Sequence, residues 1–195
     1  MRPPALPVVL ASASPRRKDL LGQWGWPFAV VPSAVDEDAL TDPDPWITAR
    51  RLAREKALAV FAQHPESLVI GADTVVALPA GDGWIQLAKP VDVADAVRML
   101  TTLQNNTHTV ITGVCLKWSG GLSSFTDESR VTFRAVSPEE IERYVATGEP
   151  MDKAGAYGLQ GMAKQFVARV EGSVTNVIGL PMERLEEAVR EMSKA

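Results

Sequence analysis

The feature that most constrains the fold is an apolar segment from Leu68 to Leu78 that contains a single charged residue, Asp73. The segment is rich in β-branched residues and precedes a Gly/Pro turn, which predicts one or two central strands of a buried sheet. An unpaired carboxylate is costly to bury in such a place. We therefore expect a metal ion, a lysine or a substrate-linked water beside Asp73, unless this residue only caps a turn between two strands.

Shorter patterns around this segment predict a sheet of mixed direction flanked by helices. Strands are expected at 8–11, 28–31, 84–87 and 166–170, with a long hairpin formed by 107–118 and 123–135. Helices are expected at 15–24, 46–64, 93–103 and 181–193, and another begins with a capping signature at Ser137. Alternating strands and helices predict an α/β fold, and we expect residues 1–195 to form one domain.

Composition and charge exclude several classes of protein. The chain has 195 residues, of which 46% are hydrophobic, so it can bury a substantial core. A net charge of -4 argues against binding a nucleic-acid polymer, which requires a broad basic surface. Cys115 is the single cysteine, which is typical of a reducing cytoplasm. No apolar run approaches the roughly 20 residues of a membrane span. The apolar stretch from Leu6 to Ala13 is also too short for a signal peptide. We therefore expect a cytoplasmic protein that does not enter membranes.

The segment from Ser12 to Lys18 predicts a helix start with an unusual charge. Ser14 is a suitable N-cap and Pro15 a suitable first helical residue. Arg16 and Arg17 then fall in the first turn, where the helix dipole disfavours cations. A bound phosphate would reverse this effect, because backbone N–H groups, serine hydroxyls and guanidinium groups would all converge on it. The alternative is a solvated basic turn.

Three other charged residues are candidates on weaker grounds. Lys56 lies on the apolar face of its helix, where it either extends its ammonium group to the surface or places it in a polar site. Lys89 precedes Pro90, an arrangement that is also common in exposed turns. Glu37 lies in a loop with several acids, and its spacing favours a solvated side chain over a metal ligand.

A glycine-rich segment from Gly148 to Gly161 is a further candidate, because long loops within compact domains are usually functional or disordered. Asp152, Lys153, Tyr157 and Gln160 offer charge, an aromatic ring and an amide that both donates and accepts hydrogen bonds. This mixture is suited to reading the edge of a nucleobase. The alternative is a flexible linker.

Taken together, these motifs resemble those of the Maf family of nucleoside triphosphate pyrophosphatases over nearly the whole chain. Residues 10–17 resemble the opening signature of the family. Residues Gly71 to Thr74 resemble its central acid motif, and residues 148–161 resemble its glycine-rich loop. Residues 52–57, Lys89-Pro90 and the segment from Asn176 to Pro181 follow in the expected order. One departure is Ala88, where the family usually has glycine.

The resemblance implies a fold similar to the inosine triphosphate pyrophosphatases (Maf/Ham1), with a twisted mixed sheet, a cleft between two lobes and commonly a homodimer. It also implies hydrolysis of a nucleoside triphosphate to the monophosphate and pyrophosphate, with Mg²⁺ or Mn²⁺ as the cation. The form of the glycine-rich loop resembles the branch that acts on dTTP and UTP. The implied role is nucleotide-pool housecleaning.

Roles for individual residues follow from the same resemblance. Asp73 is the implied catalytic base and Glu37 a second catalytic acid, and both are implied metal ligands. The implied phosphate-binding groups are Ser12, Arg16, Lys56 and Lys89, and both lysines also count as catalytic. Thr74 and Gln160 are implied to recognise the pyrimidine, whereas Arg17 and Lys18 are expected only to add positive charge.

Two other functions remain open at this stage. The first is a pyrophosphatase for 7-methyl-GTP or other modified nucleotides, including deaminated purines. The second is a regulator of cell division that binds a nucleotide without turnover. Asp73, Lys56 and Lys89 speak against the second alternative, because an inactive protein would not need them.

Overall fold

The central strand runs without interruption from Leu68 to Ala80 in the structure, a computed structural model that describes residues 3–192. The described strands form one sheet in the order β2-β1-β3-β5-β6-β7, with β4 also paired to β3. Their bounds are Val8–Ala11 (β1), Phe28–Val30 (β2), Leu68–Ala80 (β3), Gly83–Leu87 (β4), Thr107–Trp118 (β5), Gly121–Phe133 (β6) and Val167–Gly172 (β7). Strand β1 is parallel to β2 and β3, whereas β4 is antiparallel to β3 and β7 to β6. The predicted mixed sheet is confirmed.

Six α-helices accompany these strands within the described residues. They are Pro15–Gly22 (α1), Pro45–Phe61 (α2), Val93–Leu103 (α3), Pro138–Val145 (α4), Val174–Ile178 (α5) and Met182–Met192 (α6). Short 3-10 segments occur at Asp38–Leu40, Glu149–Asp152, Ala154–Ala156 and Met162–Phe166. None of the described helices combines the length and the apolar character that a membrane crossing requires.

The predicted elements agree with the observed ones apart from their ends and one short helix. The capping signature at Ser137 is confirmed as a capping box, in which the Ser137 hydroxyl and the Glu140 carboxylate each accept from the other residue's amide. The predicted closing helix, 181–193, ends at Met192, and Ser193 lies outside the described residues. Helix α5 was not predicted. It contains β-branched residues that are weak helix formers.

The chain divides into two compact units. The first comprises the residues up to Asp73, residues 112–127, and those from Gly179 onwards; the second comprises residues 74–111 and 128–178. The expectation of one domain stays a prediction.

The first unit contains a small core beneath helix α2, made of Val9, Ala11, Ala53, Ala57, Val60, Val69 and Cys115. Helix α2 lies very close to strand β3, because Gly71 has no side chain. A Cβ atom at Gly71 would be 2.3 Å from the carbonyl oxygen of Ala53, and one at Gly113 would be 2.2 Å from that of Ala49. These two glycines therefore allow the close approach that fixes the height of α2 over the strands.

The second unit has a larger core that includes an aromatic cluster. Phe133 makes edge contacts with Tyr157 and a tilted contact with Phe166, at ring-centroid distances of 4.8 and 6.2 Å. Aliphatic residues of β3, α3 and α4 complete this core, among them Val76, Leu100, Leu103, Ile141 and Val145. Tyr157 belongs to the glycine-rich segment, so that segment is packed into the core and is not a flexible linker.

Candidate active site

The predicted helix start after strand β1 is confirmed. Ser14 is the N-cap of α1, its hydroxyl accepts from the amide of Arg17 at 3.5 Å, and Pro15 is the first helical residue. Ser12, at the end of the strand, is buried, and its hydroxyl accepts from the amide of Ser14 at 3.2 Å. The turn therefore holds Ser12 in a fixed position at the amino end of the helix.

Arg17 was expected only to add positive charge, but it forms specific hydrogen bonds within this turn and to a distant segment. Its Nη1 donates to the Ser12 hydroxyl at 3.3 Å, and its Nε donates to the carbonyl of Gly179 at 2.8 Å. No sequence signal distinguishes Arg17 from Arg16, since both follow Pro15 and the anchoring carbonyl is far along the chain. Arg17 is thus a residue of this segment whose importance the pattern did not reveal.

Lys56 provides the positive charge that compensates the buried carboxylate of Asp73 in the central strand. Its Nζ lies 2.6 Å from Oδ1 of Asp73 and 2.7 Å from Oε1 of Glu37. The side chains of Lys56 and Asp73 are almost fully buried, whereas that of Glu37 is about half exposed. The lysine among the predicted partners of Asp73 is therefore present, and Asp73 lies within a strand, not in a turn between two strands.

Burial and the neighbouring charges have opposite effects on the pKa of Asp73. Burial raises the pKa of the Asp73 carboxyl, and the positive charges of Lys56 and Arg17 partly offset this rise. Glu37 contributes a smaller increase in that pKa, because it is a second negative charge nearby. A carboxylate whose pKa is raised in this way is a better proton acceptor than an ordinary aspartate.

The donor set in this cluster fits a divalent cation that brings other ligands with it. Among residues 3–192 there is no group of three or more His, Cys, Asp or Glu side chains that could hold a metal ion. Asp73 and Glu37 nevertheless offer two carboxylates on one ammonium group. Mg²⁺ is commonly held by one or two carboxylates together with substrate phosphates, so these residues are compatible with it.

Three of the predicted site residues belong to the second unit. Thr74 follows Asp73 directly in strand β3 and is partly buried. Lys89 is exposed in the turn after β4, and Gln160 is exposed in the glycine-rich segment. Their assigned roles stay predictions.

The glycine-rich segment is anchored at its beginning and end by Glu149. One carboxylate oxygen accepts from the Tyr144 hydroxyl at 3.2 Å, and the other accepts from the amide of Met162 at 3.1 Å. A Cβ atom at Gly161 would overlap this carboxylate, at 1.8 Å from Oε1. Lys153 adds a further tie by donating to the carbonyl of Glu149 at 2.5 Å. The segment is therefore a structured loop, as predicted, and Gln160 projects from a fixed backbone.

A buried hydrogen bond between His108 and Tyr157 anchors the middle of the same loop. The Tyr157 hydroxyl lies 2.7 Å from Nε2 of His108, and both residues are buried. Burial lowers the pKa of His108 to about 3 and raises that of Tyr157. His108 is therefore neutral at physiological pH. The spacing of the two residues gave no signal for this pair, because they are far apart in the sequence.

Comparisons with known proteins identify the family of the chain. The sequence model of the family described as Maf-like protein matches residues 7–192. A relative from Koribacter versatilis, named dTTP/UTP pyrophosphatase, is 48% identical and covers 94% of this chain and 93% of its own. Relatives with the same name from Moorella thermoacetica and Aquifex aeolicus are 47% and 43% identical, with 92% and 95% of each chain covered.

A solved structure shows the same fold at low sequence identity. The Ham1 protein of Staphylococcus aureus is similar with a TM-score of 0.53 and 13% identity, covering 95% of this chain and 98% of its own. This likeness confirms the predicted Ham1-like fold class. Because the family model spans almost the entire sequence, this chain belongs to the Maf-like protein family.

Proposed function

We propose that this chain hydrolyses dTTP and UTP to the corresponding monophosphate and pyrophosphate. The observation that carries the proposal is its similarity, at 43–48% identity over nearly the full length, to relatives named dTTP/UTP pyrophosphatase. The Asp73–Lys56–Glu37 cluster supports it, because it combines a basic carboxylate, a second acid and a cation. These are the groups that cleavage of a phosphoanhydride requires.

In the proposed reaction, water attacks the α-phosphorus atom. The bond from that phosphorus to the oxygen bridging to the β-phosphate breaks, and pyrophosphate leaves with the bonding electrons. Asp73 accepts the proton of the attacking water, since burial has raised its pKa. Glu37 acts as the second acid of the pair.

Binding of the triphosphate is assigned to the basic and hydroxyl groups. A nucleoside triphosphate carries about four negative charges, so several cations are needed to hold it and to stabilise the leaving pyrophosphate. Ser12, Arg16, Lys56 and Lys89 are proposed for this role. A divalent cation held by Asp73 and Glu37 would neutralise further phosphate charge when bound.

Recognition of the base is assigned to Thr74 and Gln160. The Gln160 amide can donate and accept at once, as the edge of a pyrimidine requires. The fixed backbone of the loop supports this assignment, because a pre-ordered residue loses little conformational entropy on binding.

Cytoplasmic nucleotide-pool housecleaning as a homodimer is also proposed from the family resemblance. Light scattering tests the oligomeric state, with an expected mass of twice the 21.0 kDa of one chain. A mass equal to one chain at micromolar concentration would refute the dimer.

The decisive experiment is substrate profiling of the purified protein with Mg²⁺ or Mn²⁺. We expect rapid release of pyrophosphate from dTTP and UTP and slow release from 7-methyl-GTP and ITP. Chromatography should show dTMP or UMP as the other product, with no diphosphate. A marked purine preference would refute the substrate assignment, and absence of pyrophosphate from every nucleotide would favour a binding protein without turnover.

A further inference from the structure

Lys56 occupies the position between two carboxylates at which a bound cation would be expected. Its ammonium group lies within 2.7 Å of an oxygen of both Asp73 and Glu37. Oxygen ligands of this kind are what Mg²⁺ and Mn²⁺ prefer. The two carboxylates therefore already share one positive charge that the chain itself supplies.

Because the charges around Asp73 and Glu37 are already compensated, the electrostatic attraction of this site for a free divalent cation is weak. Asp73 and Glu37 contribute two negative charges, while Lys56 and Arg17, which both act electrostatically on Asp73, contribute two positive charges. These four charges sum to zero, and Arg16, which acts electrostatically on Arg17, adds a further positive charge nearby. Among the residues that the structure describes, no cluster of three or more His, Cys, Asp or Glu side chains offers a stronger site for such a cation.

A triphosphate changes this balance. It provides several oxygen anions, with which an ammonium group on a flexible four-carbon stem can pair in place of the carboxylates. Each carboxylate that Lys56 releases is then no longer compensated by the ammonium group. The same anion also supplies phosphate ligands that complete the coordination of a divalent cation.

Resting on the proposed function, we infer that Lys56 acts as an internal counter-ion that keeps divalent cations off Asp73 and Glu37 until a nucleotide binds. The metal and the nucleotide then bind cooperatively, and free metal binds weakly. Coupling of this kind is reciprocal, so the metal strengthens nucleotide binding by the same factor.

The first experiment measures Mn²⁺ binding to the unmodified protein by electron paramagnetic resonance, with and without a non-hydrolysable dTTP analogue bridged by an α,β-imido group. We expect weak binding to the free protein and at least about tenfold tighter binding with the analogue, after correction for Mn²⁺ held by the analogue alone. Equal affinity in the two conditions would overturn the inference.

The second experiment uses Lys56→Met without any nucleotide. Loss of the ammonium group leaves the two carboxylates uncompensated, so Mn²⁺ should bind at least about tenfold more tightly than to the unmodified protein. Lys56→Arg retains the charge and should bind Mn²⁺ as weakly as the unmodified protein does. Unchanged Mn²⁺ affinity in folded Lys56→Met would overturn the inference.

Lys117→Met is the matched control. Lys117 also belongs to the first unit, but it donates to the carbonyls of Trp118 and Gly121 and lies over the ring of Phe61. Its loss should leave Mn²⁺ affinity unchanged. A similar gain in this variant would mean that the effect is one of general charge, which would also overturn the inference.

The two failures can be told apart. If the protein neither binds the dTTP analogue nor hydrolyses dTTP or UTP, the proposed function fails. The Lys56→Met measurement contains no nucleotide, and it tests the counter-ion role whichever nucleotide is the substrate. Should Lys56→Met fail to fold, equal Mn²⁺ affinity of the unmodified protein with and without the analogue would still overturn the inference.

Discussion

The amide of Gly155 donates a hydrogen bond of 3.1 Å to the carbonyl of Ala88. This bond ties the loop that carries Gln160 to the residue preceding Lys89. Two segments with different predicted roles, base recognition and phosphate binding, are thereby joined through their backbones. Ala88 takes part through its carbonyl group, so the methyl group that distinguishes it from the usual glycine of the family is compatible with this bond.

Gly155→Ala should destabilise the protein. Gly155 has a φ of +68°, and a Cβ atom there would lie 3.0 Å from Val76. The left-handed conformation alone costs a non-glycine residue about 1–2 kcal/mol, so we expect at least this loss in the free energy of unfolding measured with urea. Gly22→Ala is the control, because it ends helix α1 with open space around it. Equal stability of both variants would contradict the prediction.

Asp73→Asn should abolish turnover and leave the fold intact. The amide cannot accept the proton of the attacking water, and general-base catalysis typically contributes about 10²- to 10⁴-fold to the rate. Pyrophosphate release from dTTP measures the loss, and circular dichroism checks the fold. Asp82→Asn changes an exposed acid in the turn before β4 and should retain full activity. Near-normal turnover by Asp73→Asn would refute its assignment as the base.

Gln160→Ala should weaken the preference for pyrimidines without abolishing hydrolysis. The side chain is exposed, so its removal should leave stability almost unchanged. The relevant measurement is the ratio of kcat/KM for dTTP to that for ITP, which we expect to fall about tenfold or more, as for loss of a specific hydrogen bond. Gln63→Ala, an exposed glutamine beyond helix α2, should keep the original ratio. An unchanged ratio in Gln160→Ala would argue against base recognition.

Acid should destabilise the protein through His108. Its pKa is about 3 in the folded protein, because of burial, against an ordinary value of 6.5. Below pH 6.5 the unfolded chain takes up a proton that the folded protein refuses, so this contribution to stability is present above pH 6.5 and is lost as the pH falls toward 3. The expected slope approaches about 1.4 kcal/mol per pH unit.

The measurement is the free energy of unfolding by urea from pH 7.5, where the His108 contribution is complete, down to about pH 4.5, where much of it is lost. His108→Gln keeps a polar partner for the Tyr157 hydroxyl and should flatten the dependence on pH. His64→Gln, after helix α2, should retain the slope of the unmodified protein. If His108→Gln and the unmodified protein gave the same slope, the buried neutral histidine would not be its source.

Local sequence patterns predicted elements whose cause is itself local. Helix α3 was predicted from Val93 to Leu103 and is observed with those bounds, because its apolar spacing lies within the element and its cap, Asp92, directly precedes it. The N-caps at Ser14 and Ser137 were likewise predictable, since each acts on an amide three residues away.

Features that depend on distant partners could not be predicted from such patterns. Helix α5 is held by Asn176, whose Nδ2 donates to the carbonyl of Val110 and the hydroxyl of Ser129, at 3.0 Å each. These contacts outweigh the poor helix propensity of its β-branched residues. The ion-pair partners of Lys56 could not be identified from the sequence for the same reason. The charge on an apolar helix face indicated that a polar site was possible, but only the fold shows that Asp73 and Glu37 supply it.

The close approach of helix α2 to strand β3 has a consequence for genetics. Gly71 lies two residues before Asp73, and its contact with Ala53 limits how far Lys56 can be from that carboxylate. A random-mutagenesis screen for lost activity should therefore return Gly71 and Gly113 beside the charged residues, although neither glycine has a side chain that could touch a nucleotide. Such alleles would be expected to be temperature-sensitive, because they displace a helix, whereas alleles of Asp73 would be inactive at every temperature.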